Sequence, residues 1–188
     1  MATVAGGPAR YASATVAGGC FWCTEAVYQR VKGVISVIPG YTGGTKLKPT
    51  YDEVCSGKTG HAEAAQITFD PSIIPYDKIL EIFWHIHDPT TLNRQGNDVG
   101  TQYRSAIFYQ NERQKQTAKQ SKANAQSSKM YKGKIVTEIL PLNTFYTAES
   151  YHRDYYSKNS YQPYCQYIIE PKIHKLYKDF PKETRETL

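Results

Sequence analysis

The sequence predicts a single α+β domain in which helices cover a mixed β-sheet with a split βαβ core. Short apolar or alternating segments, which predict strands, are interspersed with segments of helical periodicity, and this pattern is typical of α+β domains. The chain has 188 residues, which is the length of one domain with a substantial core. Its apolar content of 40% argues against extensive disorder.

The first residues are predicted to lie outside this domain. Residues 1–13 are only mildly apolar and are expected to form a leader or a disordered N-terminus. Residues 14–180 then form the domain with its C-terminal tail. The sequence Ala-Thr-Val-Ala-Gly-Gly occurs twice, at residues 2–7 and 14–19, and only the second copy leads into a cysteine. The sequence offers no physical reason for this repeat.

The first strand and the first helix meet at a cysteine. Residues 15–17 are apolar, two glycines end the run, and apolar residues at helical spacing extend from Phe21 to Val31. Cys20 therefore lies at a helix N-terminus, where unpaired N–H groups and the helix dipole favour an anion. We expect its thiol to ionise below the free-cysteine pKa of ~8.5. The alternative is a buried small residue in a tight turn.

The third predicted strand places a carboxyl group on an apolar face. In residues 62–69, Glu63 shares one face with Ala65, Ile67 and Phe69, while polar side chains share the other. Burial of Glu63 would disfavour its charged form and raise its pKa. The alternative is that Glu63 lies just outside the strand, in solvent.

The remaining elements follow from periodicity and turn residues. The loop at 88–102 has no period and is long for a compact domain, which is typical of functional loops. The order strand, helix, strand, strand, helix, strand, helix, strand, helix is that of a split βαβ unit with added helices, the ferredoxin-like arrangement. The predicted elements are strands at 34–42, 105–109 and 135–140, helices at 75–88, 111–129 and 147–158, an irregular segment at 45–59, a turn-rich, flexible tail at 159–164, and a last helical turn or two at 172–178.

Composition and spacing exclude several classes of protein. The net charge is +6, but the lysines are scattered, so a nucleic-acid interface is not expected. No apolar run approaches 18 residues, so no membrane span is expected. Four cysteines are too few for a disulfide scaffold, and neither the single C-x-x-C nor the histidines show metal-ligand spacing. We expect a monomer in a reducing compartment, cytoplasmic or, if a leader was removed, organellar.

Two hypotheses compete for the C-x-x-C pair of Cys20 and Cys23. Such a pair beside a strand–helix junction is typical of thioredoxin-like disulfide exchange. The spacer, however, is Phe21-Trp22 rather than a tight Gly-Pro turn, and aromatic side chains beside a nucleophile suit a pocket for a methyl group. A general thiol–disulfide oxidoreductase therefore stands against an enzyme with one nucleophilic cysteine, and a basic binding module without catalysis is the third possibility.

Six segments, in order, resemble one enzyme family over about residues 16–175. They are Gly19-Cys20-Phe21-Trp22, Gly40-Tyr41-Thr42-Gly43-Gly44, Gly60-His61-Ala62-Glu63, Gly96-Asn97-Asp98-Val99-Gly100-Thr101-Gln102-Tyr103-Arg104-Ser105, Ala148-Glu149-Ser150-Tyr151-His152 and Tyr164-Cys165. They are similar to the A-type methionine sulfoxide reductases. The resemblance implies reduction of methionine-S-sulfoxide, free and in proteins, to methionine.

The resemblance also implies a role for each matched residue. Cys20 corresponds to the nucleophile, and Glu63 to the acid that protonates the sulfoxide oxygen. Phe21 and Trp22 correspond to the walls that hold the substrate methyl. The further correspondences are Tyr51 and Tyr103 to hydroxyl donors, Asp98 to a residue that orders the site, and Cys165 to the thiol that resolves the oxidised nucleophile.

The implied chemistry is a thiol cycle. Attack by Cys20 leaves a sulfenic acid, which condenses readily with a second thiol. By resemblance, Cys165 swings in on its tail to form this disulfide, and thioredoxin reduces it. No motif for a metal, flavin or nicotinamide is present, so no cofactor is expected.

The chain departs from the family pattern at position 23, which is most often glycine. Cys23 is either an extra resolving thiol, three residues from Cys20, or an idle buried residue. No cysteine follows Cys165, so a relay of three thiols would require Cys23 or Cys55. Cys55 lies four residues after Tyr51 and is taken as a packing residue.

Overall fold

The computed structural model describes residues 10–186. The first copy of the repeated hexapeptide and most of the predicted leader lie outside them, and β1 begins two residues before the predicted domain boundary. The strands are β1 (Ala12–Gly18), β2 (Val34–Thr42), β3 (Ala62–Phe69), β4 (Arg94–Gln95), β5 (Asp98–Val99), β6 (Ser105–Tyr109), β7 (Glu138–Pro141) and β8 (Tyr146–Thr147). The helices are α1 (Phe21–Tyr28), α2 (Tyr51–Cys55), α3 (Tyr76–Ile86), α4 (Glu112–Ser127), α5 (Tyr155–Asn159) and α6 (Glu170–Asp179), with 3₁₀ turns at Thr101–Tyr103 and Ser150–His152 and a π-helical turn at Cys165–Ile169.

Six strands form one sheet in the order β7-β6-β1-β3-β2-β8. Strand β3 lies between β1 and β2, which α1 connects, and it runs antiparallel to both. Strand β6 is antiparallel to β1, whereas β7 is parallel to β6, so the sheet is mixed. The predicted α+β class with a split βαβ core is confirmed.

The two faces of the sheet carry different cores. Val16, Ala65 and Ile67 belong to the main core, together with buried side chains of α1, α3, α4 and α6. The opposite face carries a smaller cluster of alanines around Phe108. Because successive side chains of a strand point to opposite faces, Glu63 shares the helix-covered face with Ala65 and Ile67.

The turn from β1 into α1 depends on Gly19. Its φ of 91° lies in the left-handed region, and a Cβ there would come within 2.6 Å of the Gln95 side chain. The chain therefore turns within two residues, and Cys20 becomes the N-cap of α1. The predicted start of this helix is confirmed, although the helix ends at Tyr28 rather than Val31.

The predicted helix at 147–158 is wrong. Tyr146–Thr147 instead pairs with β2, Ser150–His152 forms a 3₁₀ turn, and α5 begins only at Tyr155. Asp154 adopts a left-handed φ of 56°, which interrupts helical geometry directly before α5. Strand pairing and side-chain contacts therefore override the helix propensity of this segment.

The segment around Cys165 is helical rather than the flexible tail that the sequence predicts. Cys165 opens the π-helical turn, which ends at Ile169 and continues into α6. Pro171 has no N–H to donate, and the widened turn lies just before it. The buried residues Cys165, Ile169, Ile173 and Leu176 follow a helical spacing, which the sequence interpretation overlooked.

The other differences are small. The segment predicted to be irregular at 45–59 contains α2, which begins behind a capping box formed by Thr50 and Glu53. The loop at 88–102 contains the short hairpin β4–β5, and the strand predicted at 135–140 forms later, as β7. None of the helices within residues 10–186 has the length and hydrophobicity to cross a membrane.

Candidate active site

Cys20 and Glu63 meet at the N-terminus of α1. Cys20 caps the helix, and the next residue, Phe21, donates its backbone N–H to Glu63 Oε2 at 3.1 Å. Glu63 reaches this point from β3, where it pairs with Tyr41 of β2. Its side chain is only 1% exposed. A thiol and a carboxyl group are thus brought together around one backbone amide.

Burial raises the pKa of Glu63 from 4.5 to about 8. The Phe21 N–H opposes this rise by stabilising the carboxylate, whereas the charges of Asp98 and Cys23 add to it. The predicted rise is confirmed, and the alternative that Glu63 lies in solvent is wrong. Near pH 7 most of this group is protonated, so it has a proton to donate.

The pKa of Cys20 moves opposite to its prediction. Burial, the hydrogen bond with Cys23 and the charge of Glu63 raise it above the ordinary value, and a hydrogen bond with Tyr164 lowers it less. The first N–H group of the helix, that of Phe21, is bound by Glu63 rather than by the thiol. The resting pair is therefore a neutral thiol beside a neutral acid.

Two phenols lie within electrostatic reach of the Glu63 carboxyl group. Burial raises the pKa of Tyr51 and of Tyr103, and the charge of Glu63 contributes to both rises, so both hydroxyls stay protonated. The backbone N–H of Tyr51 donates to Glu149 Oε1 at 2.8 Å, and Glu149 Oε2 accepts the Tyr41 hydroxyl at 2.7 Å. The Glu149 carboxylate thereby fixes the start of α2 against β2.

Asp98 contacts the C-x-x-C pair through a tyrosine. The Tyr164 hydroxyl donates to Asp98 Oδ2 at 2.9 Å and lies 4.0 Å from Cys23 Sγ. Burial raises the pKa of Tyr164, and the charges of Cys20 and Cys23 raise it further. Asp98 therefore positions a protonated hydroxyl beside both thiols of the C-x-x-C pair.

Aromatic contacts fix the Trp22 side chain. Its indole lies parallel to the Tyr155 ring, with 3.6 Å between the ring centroids and 4° between the planes. The indole N–H donates to His152 Nδ1 at 3.0 Å, and the Phe21 ring lies 5.0 Å from the same imidazole. Burial lowers the pKa of His152, so its imidazole is neutral and carries its proton on Nε2. Phe21 and Trp22 thus form a fixed aromatic wall.

Cys23 interacts electrostatically with both of the other buried thiols. It hydrogen-bonds with Cys20, which lowers the pKa of Cys23 to about 7 against the effect of burial. Burial raises the pKa of Cys165, and the charge of Cys23 adds to that rise. Cys165 is fully buried in the main core. Cys55 is only partly buried, and its thiol hydrogen-bonds with Tyr51.

Sequence reasoning assigned no role to four residues that build this site: Glu149, His152, Tyr155 and Tyr164. Glu149 and His152 lie in one segment that resembles the family, and Tyr164 lies in another. The resemblance therefore marked these three positions, but the sequence did not show which residues they contact. Tyr155 carried none, because it is one of 16 tyrosines and follows no motif.

The sequence matches one family over nearly its whole length. A family model described as "Peptide methionine sulfoxide reductase" matches residues 12–184. The protein named "Peptide methionine sulfoxide reductase MsrA" from Saccharolobus solfataricus is 59% identical over 172 residues, which cover 92% of this chain and 96% of that protein.

The fold resembles solved structures of Mxr1 from Saccharomyces cerevisiae. The reduced form superposes with a TM-score of 0.77 at 36% identity, over 87% of this chain and 93% of that one. An unusual oxidised form superposes with a TM-score of 0.62 at 36% identity, over 84% of this chain and 86% of that one. The complex with Trx2 gives 0.55 at 26% identity, over 85% and 91%. Of these three states of Mxr1, the reduced form is the most similar to this chain.

The buried carboxyl of Glu63 predicts a pH-dependent loss of stability. The unfolded chain releases this proton near pH 4.5, whereas the folded chain keeps it to about pH 8. The folded state binds more protons in this window, so the free energy of unfolding falls as pH rises from about 4.5 to 8. Glu63→Gln lacks this contribution, and its stability relative to the wild type should rise by a few kcal/mol across the window.

Urea unfolding at pH 5, 6, 7 and 8 measures this difference. Glu81→Gln, on the exposed face of α3, is the matched control and should follow the wild type. Parallel pH profiles for Glu63→Gln and the wild type would show that the Glu63 pKa is not raised.

Proposed function

The chain belongs to the peptide methionine sulfoxide reductase family, and from this premise we propose that it reduces methionine-S-sulfoxide, free and in proteins, through a sulfenic acid on Cys20. The oxidation then passes to Cys165 as a disulfide, which thioredoxin reduces. One observation carries the proposal: Cys20 and a protonated Glu63 adjoin the same amide at the start of α1.

Glu63 activates the sulfoxide oxygen. A sulfoxide sulfur is a poor electrophile until its oxygen accepts a proton or strong hydrogen bonds. The neutral carboxyl supplies the proton, and its raised pKa keeps it protonated near pH 7. The hydroxyls of Tyr51 and Tyr103 supply further donors where negative charge grows on the oxygen, and one such donor typically contributes about 3–4 kcal/mol to lowering the barrier.

The neutral thiol fits this acid, because the two groups exchange one proton. The Cys20 sulfur attacks the sulfoxide sulfur while Glu63 passes its proton to the oxygen. The sulfur–oxygen bond of the substrate then breaks as the hydroxyl moves to the Cys20 sulfur. The new bond between the two sulfurs breaks with its electron pair on the substrate sulfur, which leaves a sulfenic acid on Cys20 and releases methionine. The thiol proton returns to the Glu63 carboxylate. Thiol and sulfoxide thus give sulfenic acid and thioether, with no proton consumed from solvent.

The aromatic wall binds the substrate methyl group. Phe21 and Trp22 directly follow Cys20 in the first turn of α1 and place two aromatic rings next to the residue that carries the thiol. Contacts with His152 and Tyr155 fix the indole. A methyl on the sulfoxide sulfur packs against this wall, which turns the sulfur toward Cys20 and the oxygen toward Glu63.

Cys23 carries the oxidation from Cys20 to Cys165. The sulfenic acid on Cys20 condenses with the Cys23 thiol, which forms a disulfide and releases water. Cys165 then attacks the Cys23 sulfur, and Cys20 leaves as a thiolate that regains a proton. This order is supported by position, because Cys23 interacts with both other thiols, whereas Cys165 lies in a buried helix rather than on a mobile tail.

Reduction by thioredoxin requires the helix that carries Cys165 to open. A complex of Mxr1 with Trx2 supports thioredoxin as the reductant of this chain. Mxr1 resembles this structure less in its oxidised form and in that complex than in its reduced form, which supports a rearrangement upon oxidation. The thioredoxin dithiol then reduces the disulfide between Cys23 and Cys165 by exchange.

The first test is Cys20→Ser with a methionine-S-sulfoxide peptide, thioredoxin, thioredoxin reductase and NADPH. Because serine is not nucleophilic enough, chromatography should detect no methionine peptide, while circular dichroism verifies the fold. The R epimer, given to the wild type, is the stereochemical control and should remain unreduced. Turnover by Cys20→Ser would exclude this mechanism.

Glu63→Gln should slow sulfoxide reduction about 100-fold or more, because the amide has no acidic proton. The wild-type rate should fall above about pH 8, where Glu63 ionises, and the variant should not show this fall. Alkylation of Cys20 by iodoacetamide should be unchanged in the variant near pH 7, where Glu63 is neutral, and faster than in the wild type above about pH 8, where the Glu63 charge raises the thiol pKa. An unchanged reduction rate would remove Glu63 from the role of proton donor.

Cys165→Ser should still form about one methionine per enzyme in a single turnover but stall with thioredoxin, because no second disulfide forms. Mass spectrometry should then find Cys20 linked to Cys23. Cys23→Ser should also complete one turnover, but its disulfide between Cys20 and Cys165 should form slowly. Steady-state turnover by Cys165→Ser would exclude Cys165, and wild-type rates in Cys23→Ser would show that Cys165 resolves Cys20 directly.

A further inference from the structure

One face of α1, extended by its C-cap residue, binds residues 152–155. Trp22, Glu25 and the C-cap residue Gln29 lie three and four residues apart on this face. All three contact residues 152–155. Besides its contacts with His152 and Tyr155, this face binds Asp154 twice: Glu25 Oε1 accepts its backbone N–H at 3.0 Å, and Gln29 Nε2 donates to its Oδ1 at 2.8 Å.

Glu25 is a buried acid that the proposed reaction does not use. It is 1% exposed and accepts the backbone N–H groups of Asp154 and Tyr155, the first of α5. Asp154 adopts its left-handed φ of 56° at this point, which directs successive N–H groups to one carboxyl group. Burial raises the pKa of Glu25 to about 7, so the carboxyl is retained here against a desolvation cost.

The Glu25 carboxyl group binds the backbone at the point where the Tyr155 side chain begins. Tyr155 follows the residue that Glu25 binds, and its ring covers one face of the Trp22 indole. Trp22 and Glu25 belong to adjacent turns of α1, so a single rigid helix carries both the indole and the anchor of its neighbour. Loss of the anchor would release Tyr155 without any change at Cys20 or Glu63.

We propose that Glu25 is a positioning residue that fixes Tyr155 against Trp22 and thereby sets the width of the hollow for the S-alkyl group. The inference rests on the proposed function, since it assigns the Trp22 wall to the substrate methyl. Its consequence is selectivity: the fixed wall accepts a methyl and rejects an ethyl group. One additional methylene in a rigid apolar pocket typically changes kcat/KM by about 10- to 200-fold.

The test compares methionine sulfoxide with ethionine sulfoxide, which differs by that methylene. Glu25→Ala and Tyr155→Ala should each reduce the wild-type preference for methyl by about tenfold. The double variant should lose no more than either alone, because both changes release the same ring. Glu25→Gln keeps a carbonyl acceptor and should restore most of the preference. Additive losses in the double variant would overturn the proposal.

Fluorescence provides a readout that needs no turnover. The chain has two tryptophans, so Trp84→Phe leaves Trp22 as the reporter. In that background, Glu25→Ala should increase quenching of Trp22 by acrylamide, while Glu81→Ala on α3 should not. If Glu25→Ala fails to fold, Glu25→Leu, which keeps the apolar bulk but has no acceptor, takes its place in the same comparison.

The outcomes separate the inference from the function on which it rests. Unchanged quenching, or increased quenching with unchanged selectivity, would overturn the role of Glu25. A wild type that reduces no sulfoxide would overturn the proposed function, whereas the quenching comparison would still decide whether Glu25 fixes Tyr155 against Trp22.

Discussion

The site depends on one buried hydrogen bond, from the backbone N–H of Phe21 to the carboxyl group of Glu63. A helix N-terminus offers several unpaired N–H groups, and in most thiol enzymes we would expect the cysteine to profit from them. Here the carboxyl group of β3 takes the first of them. This hydrogen bond holds Glu63 close to the sulfur, and burial keeps the carboxyl group protonated although the bond itself favours the carboxylate.

Helix α1 organises the rest of the site although it is only eight residues long. Its first turn carries the two thiols and the aromatic wall. Its next turn carries the acid that binds the backbone at Asp154. The two thiols, the aromatic wall and the acid that supports it thus belong to one rigid helix. The segments around Tyr51, Asp98 and His152 complete the site, and they join it by hydrogen bonds or ring contacts rather than by strand pairing.

The core of the fold could be predicted because its signals are local. Alternation in residues 62–69 placed Glu63 on a buried face, and two glycines before Cys20 marked the start of a helix. Residues 147–158 could not be predicted, because their conformation is set by β2 and α1, which are distant in sequence. The prediction of a lowered Cys20 pKa was wrong for a related reason. The sequence shows a helix N-terminus but not which side chain accepts its N–H groups.

The helical stripe at Cys165 was visible in principle, since buried residues recur there at helical spacing. Prolines and tyrosines around it favoured an interpretation as a loop. The distinction matters, because a thiol on a loop meets every small oxidant in its surroundings. Packed at 0% exposure in the core, Cys165 is shielded from peroxide in the structure described here. In the proposed cycle, this burial keeps a reducing equivalent in reserve under the same oxidative stress that produces methionine sulfoxide.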